Sequence, residues 1–434
     1  MRSWRNGVAV AIGFAAWLNS TSTTGAHDEP KPDGQNWTNW RGHDGTRSLP
    51  TGLKTLKFGG EHARWKTELP GKGSSTPIVV DGLIYLTAPV EGVDGLLCYD
   101  SDGQKKFQTI FGSENPGKHR RGSGSNASPV SDGKTIFAYF KSGTLAAVDL
   151  TGQTRWELNL VEKYGQESLY WDHGTSPILT ERYVVMTRMD ERDSWLAAFH
   201  KDSGELAWKV PRNYTTPREC DHGYSTPIVI QYDGKESILT WGAEQITIHR
   251  ADNGELIWSC GNFNPEQNQL WPTIASPVIV GDMAVVAYGR ADRGSPRLFG
   301  VRLSGSGDVT KTNHVWERDD IGAFVPTPVV HGEHIIVLGD RGDIECLDPQ
   351  TGQTVWREQF PQARANFYAS PLLLGDYLYT VREDGTSFVS QVVDGKLKLL
   401  AEGEMQQDII GSPVPLGDSI LVRGETHLIC IAPE

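Results

Sequence analysis

Two Asp-His-Gly tripeptides, 49 residues apart, are the part of this chain whose residue types best fit a chemical site. His173 lies four residues before Pro177, and His222 lies five residues before Pro227. The pairs Asp172-His173 and Asp221-His222 therefore hold nearly equivalent places in the sequence. An Asp beside a His can orient the imidazole or raise its basicity. The other candidate ligand-binding residues are basic, amide or aromatic side chains of neighbouring segments: His119, Arg120, Arg121, Asn126, Trp171 and Trp271.

Three interpretations of these residues are open. They could form structural hydrogen bonds that hold long loops together. They could form a polar site for an anionic or sugar-like ligand, with Trp171 and Trp271 as stacking surfaces. They could bind a metal ion, but no compact ligand motif such as His-Glu-x-x-His is present. The sequence therefore assigns no metal ligand.

Other motifs of enzyme chemistry are missing from the sequence. It contains no Gly-x-Ser-x-Gly nucleophile elbow, no P-loop and no dinucleotide fingerprint between a strand and a helix. We therefore assign no catalytic residue.

Eight Ser-Pro or Thr-Pro dipeptides divide the chain into units of similar length, with 42 to 52 residues between successive prolines. Such a period is typical of propellers, solenoids and arrays. In the unit at 129–160, four short β-rich runs alternate with Gly-containing turns, which predicts a four-stranded antiparallel meander with strands A to D. Because such sheets bury their faces only by stacking, we predict an all-β fold, an eight-bladed β-propeller around a central channel.

A bulky side chain follows a glycine by four residues in most units. The glycine supplies the positive φ of a tight turn between strands C and D. The ring that follows, on the outermost strand D, is expected to dock against the adjacent blade. An insertion in the fifth unit leaves the docking position to Trp316. The predicted docking residues are Trp65, Phe107, Trp156, Trp208, Trp258, Trp316 and Trp356.

The eighth unit contains only three strands, and a strand-like run around Trp65 precedes the first unit. We predict that this N-terminal strand completes the last blade and closes the ring. The domain assignment is a signal peptide at 1–26, a leader segment at 27–59 and one eight-bladed propeller at 60–434.

The predicted signal peptide has Arg2 and Arg5 before an apolar run and small residues after it. This run is too short to span a membrane, and no transmembrane segment is expected elsewhere. The mature protein is expected to be periplasmic or secreted.

The charge of the chain is acidic, with 41 Lys and Arg against 54 Asp and Glu and a formal net charge of −13. This balance repels nucleic acid, so we expect no nucleic-acid partner. Cys98, Cys346 and Cys430 fall in strand C of separate blades and are expected to be buried apolar residues. A disulfide between Cys220 and Cys260 is left open.

In a four-stranded meander, the D-to-A and B-to-C connections emerge at one end of the propeller, here called the loop face. The A-to-B and C-to-D turns emerge at the other end, the turn face. Apart from the insertion in the fifth unit, the long connections, such as 111–127 and 163–175, belong to the loop face. Because binding residues concentrate on loops held by a rigid scaffold, we expect the candidate residues to converge over the channel mouth and bind a protein or carbohydrate ligand there.

Residues 146–156 (AAVDLTGQTRW) and 346–356 (CLDPQTGQTVW) resemble the tryptophan-docking repeat of pyrroloquinoline quinone (PQQ) type propellers. Residues 36–46 (NWTNWRGHDGT) resemble the Trp-rich leader of many secreted bacterial members. The superfamily includes quinoprotein alcohol dehydrogenases and non-enzymatic BamB-type outer-membrane assembly proteins, so the resemblance implies a fold more than an activity.

We expect an extracytoplasmic, non-catalytic binding scaffold of the BamB-like type without a cofactor. The resemblance also implies two alternatives: a dehydrogenase that oxidises an alcohol or sugar with PQQ and Ca²⁺, and a binder of surface polysaccharide. The adjacent-cysteine disulfide typical of PQQ alcohol dehydrogenases is missing, and the family's catalytic Asp and metal ligands match no motif position here. Both facts count against the dehydrogenase.

Overall fold

Each proline of the repeat lies immediately before the first residue of an innermost strand. The computed structural model describes residues 36–42 and 57–432, which belong to one compact unit at 34–434. Its strands form eight sheets, each with four antiparallel strands from the channel outward, and one sheet has a fifth, parallel strand in addition. The predicted all-β eight-bladed propeller is therefore confirmed.

A single strand, β1 (Ala63–Glu68), precedes the repeats. The strands of blades 1 to 4 follow in order: β2 (Ile78–Val80), β3 (Leu83–Val90), β4 (Val93–Tyr99), β5 (Lys105–Ser113); β6 (Val130–Ser131), β7 (Thr135–Tyr139), β8 (Thr144–Asp149), β9 (Thr154–Asn159); β10 (Ile178–Leu179), β11 (Tyr183–Arg188), β12 (Trp195–His200), β13 (Leu206–Pro211); β14 (Ile228–Tyr232), β15 (Lys235–Gly242), β16 (Gln245–Arg250), β17 (Leu256–Cys260). The strands of blades 5 to 8, with one inserted strand, β21, are: β18 (Val278–Val280), β19 (Met283–Arg290), β20 (Ser295–Arg302), β21 (Gly307–Asp308), β22 (His314–Arg318); β23 (Val329–His331), β24 (His334–Leu338), β25 (Asp343–Leu347), β26 (Thr354–Gln359); β27 (Leu372–Leu374), β28 (Tyr377–Val381), β29 (Thr386–Val393), β30 (Lys396–Glu404); β31 (Val414–Leu416), β32 (Ser419–Arg423), β33 (His427–Ile431).

Helix is scarce in the described ranges. It consists of α1 (Leu160–Tyr164) and two 3₁₀ turns, Gly60–His62 and Ala291–Arg293. No helix among the described residues is long and apolar enough to cross a membrane.

The apolar core lies between neighbouring blades. Successive side chains of β7 point to opposite faces of their sheet, as in any strand. Ile136 therefore packs with Tyr85 of blade 1, whereas Phe137 packs with Val184 of blade 3. β7 is thus buried on both faces, which explains the apolar run at this place of the repeat.

The ring is closed by the strand that precedes the repeats. β1 pairs antiparallel with β33, with Thr67 opposite Leu428 and Glu68 opposite His427. The last blade has the order β1-β33-β32-β31 from outside to inside. The predicted completion of the last blade by the N-terminal strand is confirmed.

A second closure runs around the channel through the Ser or Thr of every dipeptide. The backbone N–H of Thr76 donates to Ser128 Oγ at 2.9 Å, and the same bond repeats from each blade to the next. The cycle closes when Ser412 N–H donates to Thr76 Oγ1 at 3.1 Å. The intervening hydroxyls accept at 2.9 to 3.1 Å: Ser176, Thr226, Ser276, Thr327, Ser370 and Ser412. These eight bonds, here called the hydroxyl ring, explain why a hydroxyl residue precedes each proline.

The outer rings contact the turn of the next blade. The Trp156 ring lies against Gly204, where a Cβ would stand 2.7 Å from the ring, and its Nε1–H donates to the Lys201 carbonyl at 2.7 Å. Trp65, Phe107, Trp208 and Trp316 lie in the same way against the turn glycines of their neighbours. Gly204 has a φ of +71°, so the glycine serves both the turn and the docked ring.

The insertion in the fifth unit does not remain a loop. β21 pairs parallel with β17, so blade 4 has a fifth, outermost strand. The Trp258 ring is fully buried beside it and donates from Nε1 to the Ser304 carbonyl at 3.0 Å.

The described part of the leader lies in the channel. Trp37 and Val79 exchange two backbone hydrogen bonds of 2.8 Å, and Asn36 Oδ1 accepts from Asp81 N–H at the turn face. The buried Arg41 guanidinium donates to the carbonyls of Pro328 and Pro371 at 2.9 Å. Residues 36–42 thus enter from the turn face and link blade 1 to blades 6 and 7.

All five cysteines are buried and free. Cys220 and Cys260 are therefore not bridged. Burial raises the pKa of Cys98 and Cys260 to about 12, which keeps both thiols protonated and unreactive.

Candidate functional site

Asp172 is a structural tie between two loop-face connections. Its Oδ1 accepts from the Lys141 ammonium at 2.6 Å, and both of these side chains are 2% exposed. The backbone N–H of Lys118 donates to both carboxylate oxygens at 2.9 Å, and His119 N–H donates at 3.3 Å. The carboxylate is therefore occupied by the connection at 111–127 and does not face the channel.

His173 is also engaged within the protein. Its Nδ1 is 2.9 Å from Glu167 Oε2, its Nε2 is 3.0 Å from the Thr175 carbonyl, and its ring packs against Tyr139. The carboxylate that orients the imidazole is Glu167 and not the neighbouring Asp172. Asn126 lies alongside and donates from Nδ2 to the His173 carbonyl at 3.1 Å.

An aromatic and basic cluster stands exposed above these ties. The His119 ring is 4.2 Å from the Trp171 ring and 5.3 Å from the Tyr170 ring. Tyr170 is 52% exposed and Trp171 39% exposed, and the exposed Arg120 follows His119 in the chain. We call these four residues, His119, Arg120, Tyr170 and Trp171, the rim cluster. Large exposed aromatic groups beside basic side chains are typical of binding surfaces.

The channel mouth holds a cavity of about 210 Å³ above the hydroxyl ring. Trp40 of the leader lines its floor, and Tyr224, Tyr368, Asn126 and Arg121 line its walls. Tyr224 Oη accepts from Trp171 N–H at 2.9 Å, so the rim cluster is joined directly to this wall. Burial raises the pKa of Tyr224, so the phenol keeps its proton and can donate a hydrogen bond.

Arg121 spans two connections at the mouth. Its guanidinium forms an ion pair with Glu383 of the β28–β29 loop and lies 5.3 Å from the centre of the Tyr368 ring. Glu383 Oε1 also accepts from Asn366 N–H at 2.8 Å. The cation is thus fixed in place by blade 7.

The second Asp-His pair forms a separate cluster with a residue that the sequence did not single out. One ligand atom each of Glu191, Asp221 and His222 lie within 4.8 Å of one another. His222 Nδ1 accepts from Tyr170 N–H at 3.3 Å, and its Nε2 is 3.7 Å from Glu191 Oε1. Burial raises the pKa of the Asp221 carboxyl above its usual value, and the neighbouring His222 opposes that shift.

The ten candidates therefore do not converge at one place. Only Arg121 and Asn126 line the mouth cavity. Trp271, expected to offer a stacking surface, is instead buried against Tyr288 under the guanidinium of Arg297. The ring is buried because this loop-face connection packs its apolar side chains onto blades 4 and 5.

Sequence reasoning missed several residues of this region. Trp40 was placed in a leader outside the propeller, and Tyr224 and Tyr368 carried no motif. Lys141, Glu167 and Glu191 contact the Asp-His pairs from segments 6 to 31 residues away. The repeated hydroxyl before each proline was the one available signal for the wall of the channel.

The family described as outer membrane protein assembly factor BamB matches at residues 59–188, 172–358 and 313–428. No curated protein matches the chain in sequence.

Three solved structures illustrate the structural likeness. BamB from Moraxella catarrhalis is 13% identical, with 85% of this chain and 99% of that chain covered and a TM-score of 0.61. The quinohemoprotein alcohol dehydrogenase of Comamonas testosteroni is 10% identical, with coverage of 92% and 81% and a TM-score of 0.65. The computationally designed Ika8 protein is 13% identical, with coverage of 84% and 98% and a TM-score of 0.56. At such identities these structures share the fold alone.

Proposed function

Because the chain belongs to the family described as outer membrane protein assembly factor BamB, we propose that it is an extracytoplasmic, non-catalytic scaffold that binds a protein partner at its loop face. The family description names an assembly factor of outer membrane protein, which favours a protein as the partner. Export by the segment at 1–26, which lies outside the described residues, is part of this proposal.

The observation that carries the proposal is the composition of the mouth cavity. Its walls are hydroxyl, phenol, amide, aromatic and aliphatic groups, with Arg121 as the one charged side chain of the lining. None of the lining side chains is a carboxylate, a histidine or a cysteine. General acid–base catalysis most often uses such groups, and a Ser, Thr or Tyr nucleophile needs an adjacent base to activate it. The lining suits recognition and leaves no residue for proton transfer near neutral pH.

The same lining does not fit a calcium-bound quinone. Ca²⁺ takes six to eight oxygen ligands, usually with carboxylates among them, and the cavity supplies no carboxylate. The carboxylates of a quinone such as PQQ would meet only the Arg121 guanidinium, which is already paired with Glu383. Trp40 does provide an aromatic floor, but this one feature is shared by many binding sites.

The rim cluster supports a protein partner. Its basic side chains, with Lys118 next to it, form a positive area on a chain of net charge −13. Tyr, Trp and Arg are the residues that most often dominate the energy of protein interfaces. A positive area on an acidic protein favours an acidic surface of the partner and accelerates their encounter.

Photo-crosslinking in the source organism tests the proposal. We expect p-benzoylphenylalanine in place of Tyr170 or Trp171 to give a discrete protein adduct after irradiation, because both side chains are exposed at the rim. The same residue in place of Asp202 or Asp252, which lie in exposed turns of the turn face, should give none. The adducts are separated by electrophoresis and identified by mass spectrometry.

Three results would contradict the proposal: adducts from the turn-face positions alone, equal adducts from both faces, or none from the rim. An Arg120→Glu substitution, next in the chain to the His119 ring that contacts residue 171, sharpens the test. If the partner surface is acidic, this substitution should reduce the yield of adduct from the crosslinker at position 171 several-fold. Thermal stability should not change, because substitution of an exposed residue shifts the free energy of unfolding by no more than about 0.5 kcal/mol.

A further inference from the structure

The cluster of Glu191, Asp221 and His222 contains two buried polar atoms without a hydrogen-bond partner among the described residues. These atoms are Asp221 Oδ1 and His222 Nε2. The His222 side chain is 3% exposed, whereas Glu191 is 54% exposed at the edge of the cluster. Buried polar atoms in folded proteins are nearly always paired, and an unpaired one calls for an ion, a water or another ligand.

The arrangement has the chemistry of a cation site. Two carboxylates would balance the charge of a divalent ion, and an imidazole nitrogen adds a ligand that hard cations such as Ca²⁺ and Mg²⁺ seldom use. One nitrogen and two oxygens, with a position left for water, suit Zn²⁺. The exposed Glu191 gives the ion a path from solvent. We propose that Glu191, Asp221 and His222 bind a Zn²⁺ ion at the loop face.

Hydrogen bonds to residues outside the cluster fix the loops that carry these ligands. Asp190, next to Glu191, accepts backbone N–H bonds from Ser168, Arg192 and Asp193 at 2.9 to 3.2 Å. Gly223 N–H donates to the Met189 carbonyl at 3.0 Å and joins the strand end of blade 3 to the segment with Asp221 and His222. A bound ion would therefore link two loops whose backbones are already joined by a hydrogen bond.

Ion binding has a structural consequence for the rim cluster. A metal on His222 Nε2 requires the ring proton on Nδ1, where Tyr170 N–H now donates over 3.3 Å. The proton moves from one nitrogen to the other, so the net charge of the ring is unchanged, but Tyr170 N–H has to move away. Zn²⁺ binding should thus displace the segment that contains Tyr170 and Trp171. The ion site itself does not depend on the proposed function of the rim.

Calorimetric titration of the full mature chain tests the site, with a protein purified without a polyhistidine tag and stripped with a chelator. We expect one Zn²⁺ per chain and no comparable binding of Mg²⁺ or Ca²⁺. Glu191→Gln and Asp221→Asn should each weaken binding at least about tenfold, the loss that removal of even an outer-shell partner causes. Glu219→Gln removes a nearby carboxylate outside the cluster and should bind as the unchanged protein does. Glu191 is exposed, so its variant keeps the fold.

Tryptophan fluorescence gives the second measurement. Zn²⁺ should change the emission of the unchanged protein but not that of Trp171→Phe, which should still bind the ion. Absence of one-to-one Zn²⁺ binding would overturn the assignment. So would equal affinity of Glu191→Gln, Asp221→Asn and Glu219→Gln, because the ion would then bind elsewhere.

Discussion

A chain that begins at residue 71 should lose more stability than any single substitution causes. This truncation removes β1, so that the edge of β33 becomes unpaired and Gly103 loses the Trp65 ring. Removal of one large packed ring alone costs about 3 to 5 kcal/mol. The strand pairing and the burial of Phe58 and Leu69 are lost in addition. We expect the midpoint of thermal unfolding to fall by on the order of 10 °C, measured by circular dichroism.

Two other start points separate the contributions. A chain that begins at residue 35 keeps both the channel segment and β1 and should unfold like the full mature protein. A chain that begins at residue 57 keeps β1 but loses Trp37 and Arg41 and should fall between the two. Equal midpoints for the starts at 35 and 71 would refute closure of the ring by the N-terminal strand.

Trp258→Ala should be the most damaging substitution among the docking residues. Trp258 lies on β17 opposite Gly307 of the inserted strand β21, its ring is fully buried, and its Nε1–H bond to the Ser304 carbonyl would be lost as well. A cavity of this size costs about 3 to 5 kcal/mol. Trp156→Ala, Trp208→Ala and Trp356→Ala should cost amounts in the same range. Chemical denaturation followed by tryptophan fluorescence measures these changes in the free energy of unfolding.

Leu256→Ala is the matched control, because Leu256 lies on the same strand and is 49% exposed. Its loss should change the free energy of unfolding by no more than about 0.5 kcal/mol. Losses below about 1 kcal/mol at all of the tryptophan positions would mean that these rings do not hold neighbouring blades together.

The fold could be predicted because its rules are local and repeated. The repeat places a proline before each innermost strand and a glycine in most outer turns, with a period near 50 residues. These residues determine the strands and turns within a few positions of themselves. The repeat predicts that each ring docks against the adjacent blade, but not which residue of that blade the ring contacts. The second role of Gly204, as the seat of the Trp156 ring, depends on a neighbour 48 residues away and has no local signature.

The candidate site was harder to predict for the same reason. The two Asp-His pairs look equivalent in sequence, but their contacts differ. Lys141 and Glu167 form ion pairs with the first pair. Glu191 lies next to the second pair, and Tyr170 N–H donates to its His222. Adjacent residues on a connection point in directions set by the whole loop, so Asp172 never meets the ring of His173. Which side chains face a ligand was decided by long-range packing.

The leader shows a related limit. The sequence predicts that the Trp-rich segment precedes the propeller, because nothing local reveals that its side chains enter the channel. Arg41 donates to the carbonyls of Pro328 and Pro371, which lie 287 and 330 residues away along the chain. Only the closed ring brings these groups together.

The central claim, that the mouth cavity serves binding and not quinone chemistry, is tested most directly by titration of the purified mature chain with PQQ in the presence of Ca²⁺. Quinone absorbance and heat of binding are followed together, and a quinoprotein alcohol dehydrogenase freed of its cofactor serves as the positive control. We predict no saturable absorbance change, no measurable heat and no alcohol-dependent dye reduction by the mixture. Saturable one-to-one binding that needs Ca²⁺, with dye reduction when an alcohol is added, would contradict the account and identify the cavity as a quinone site.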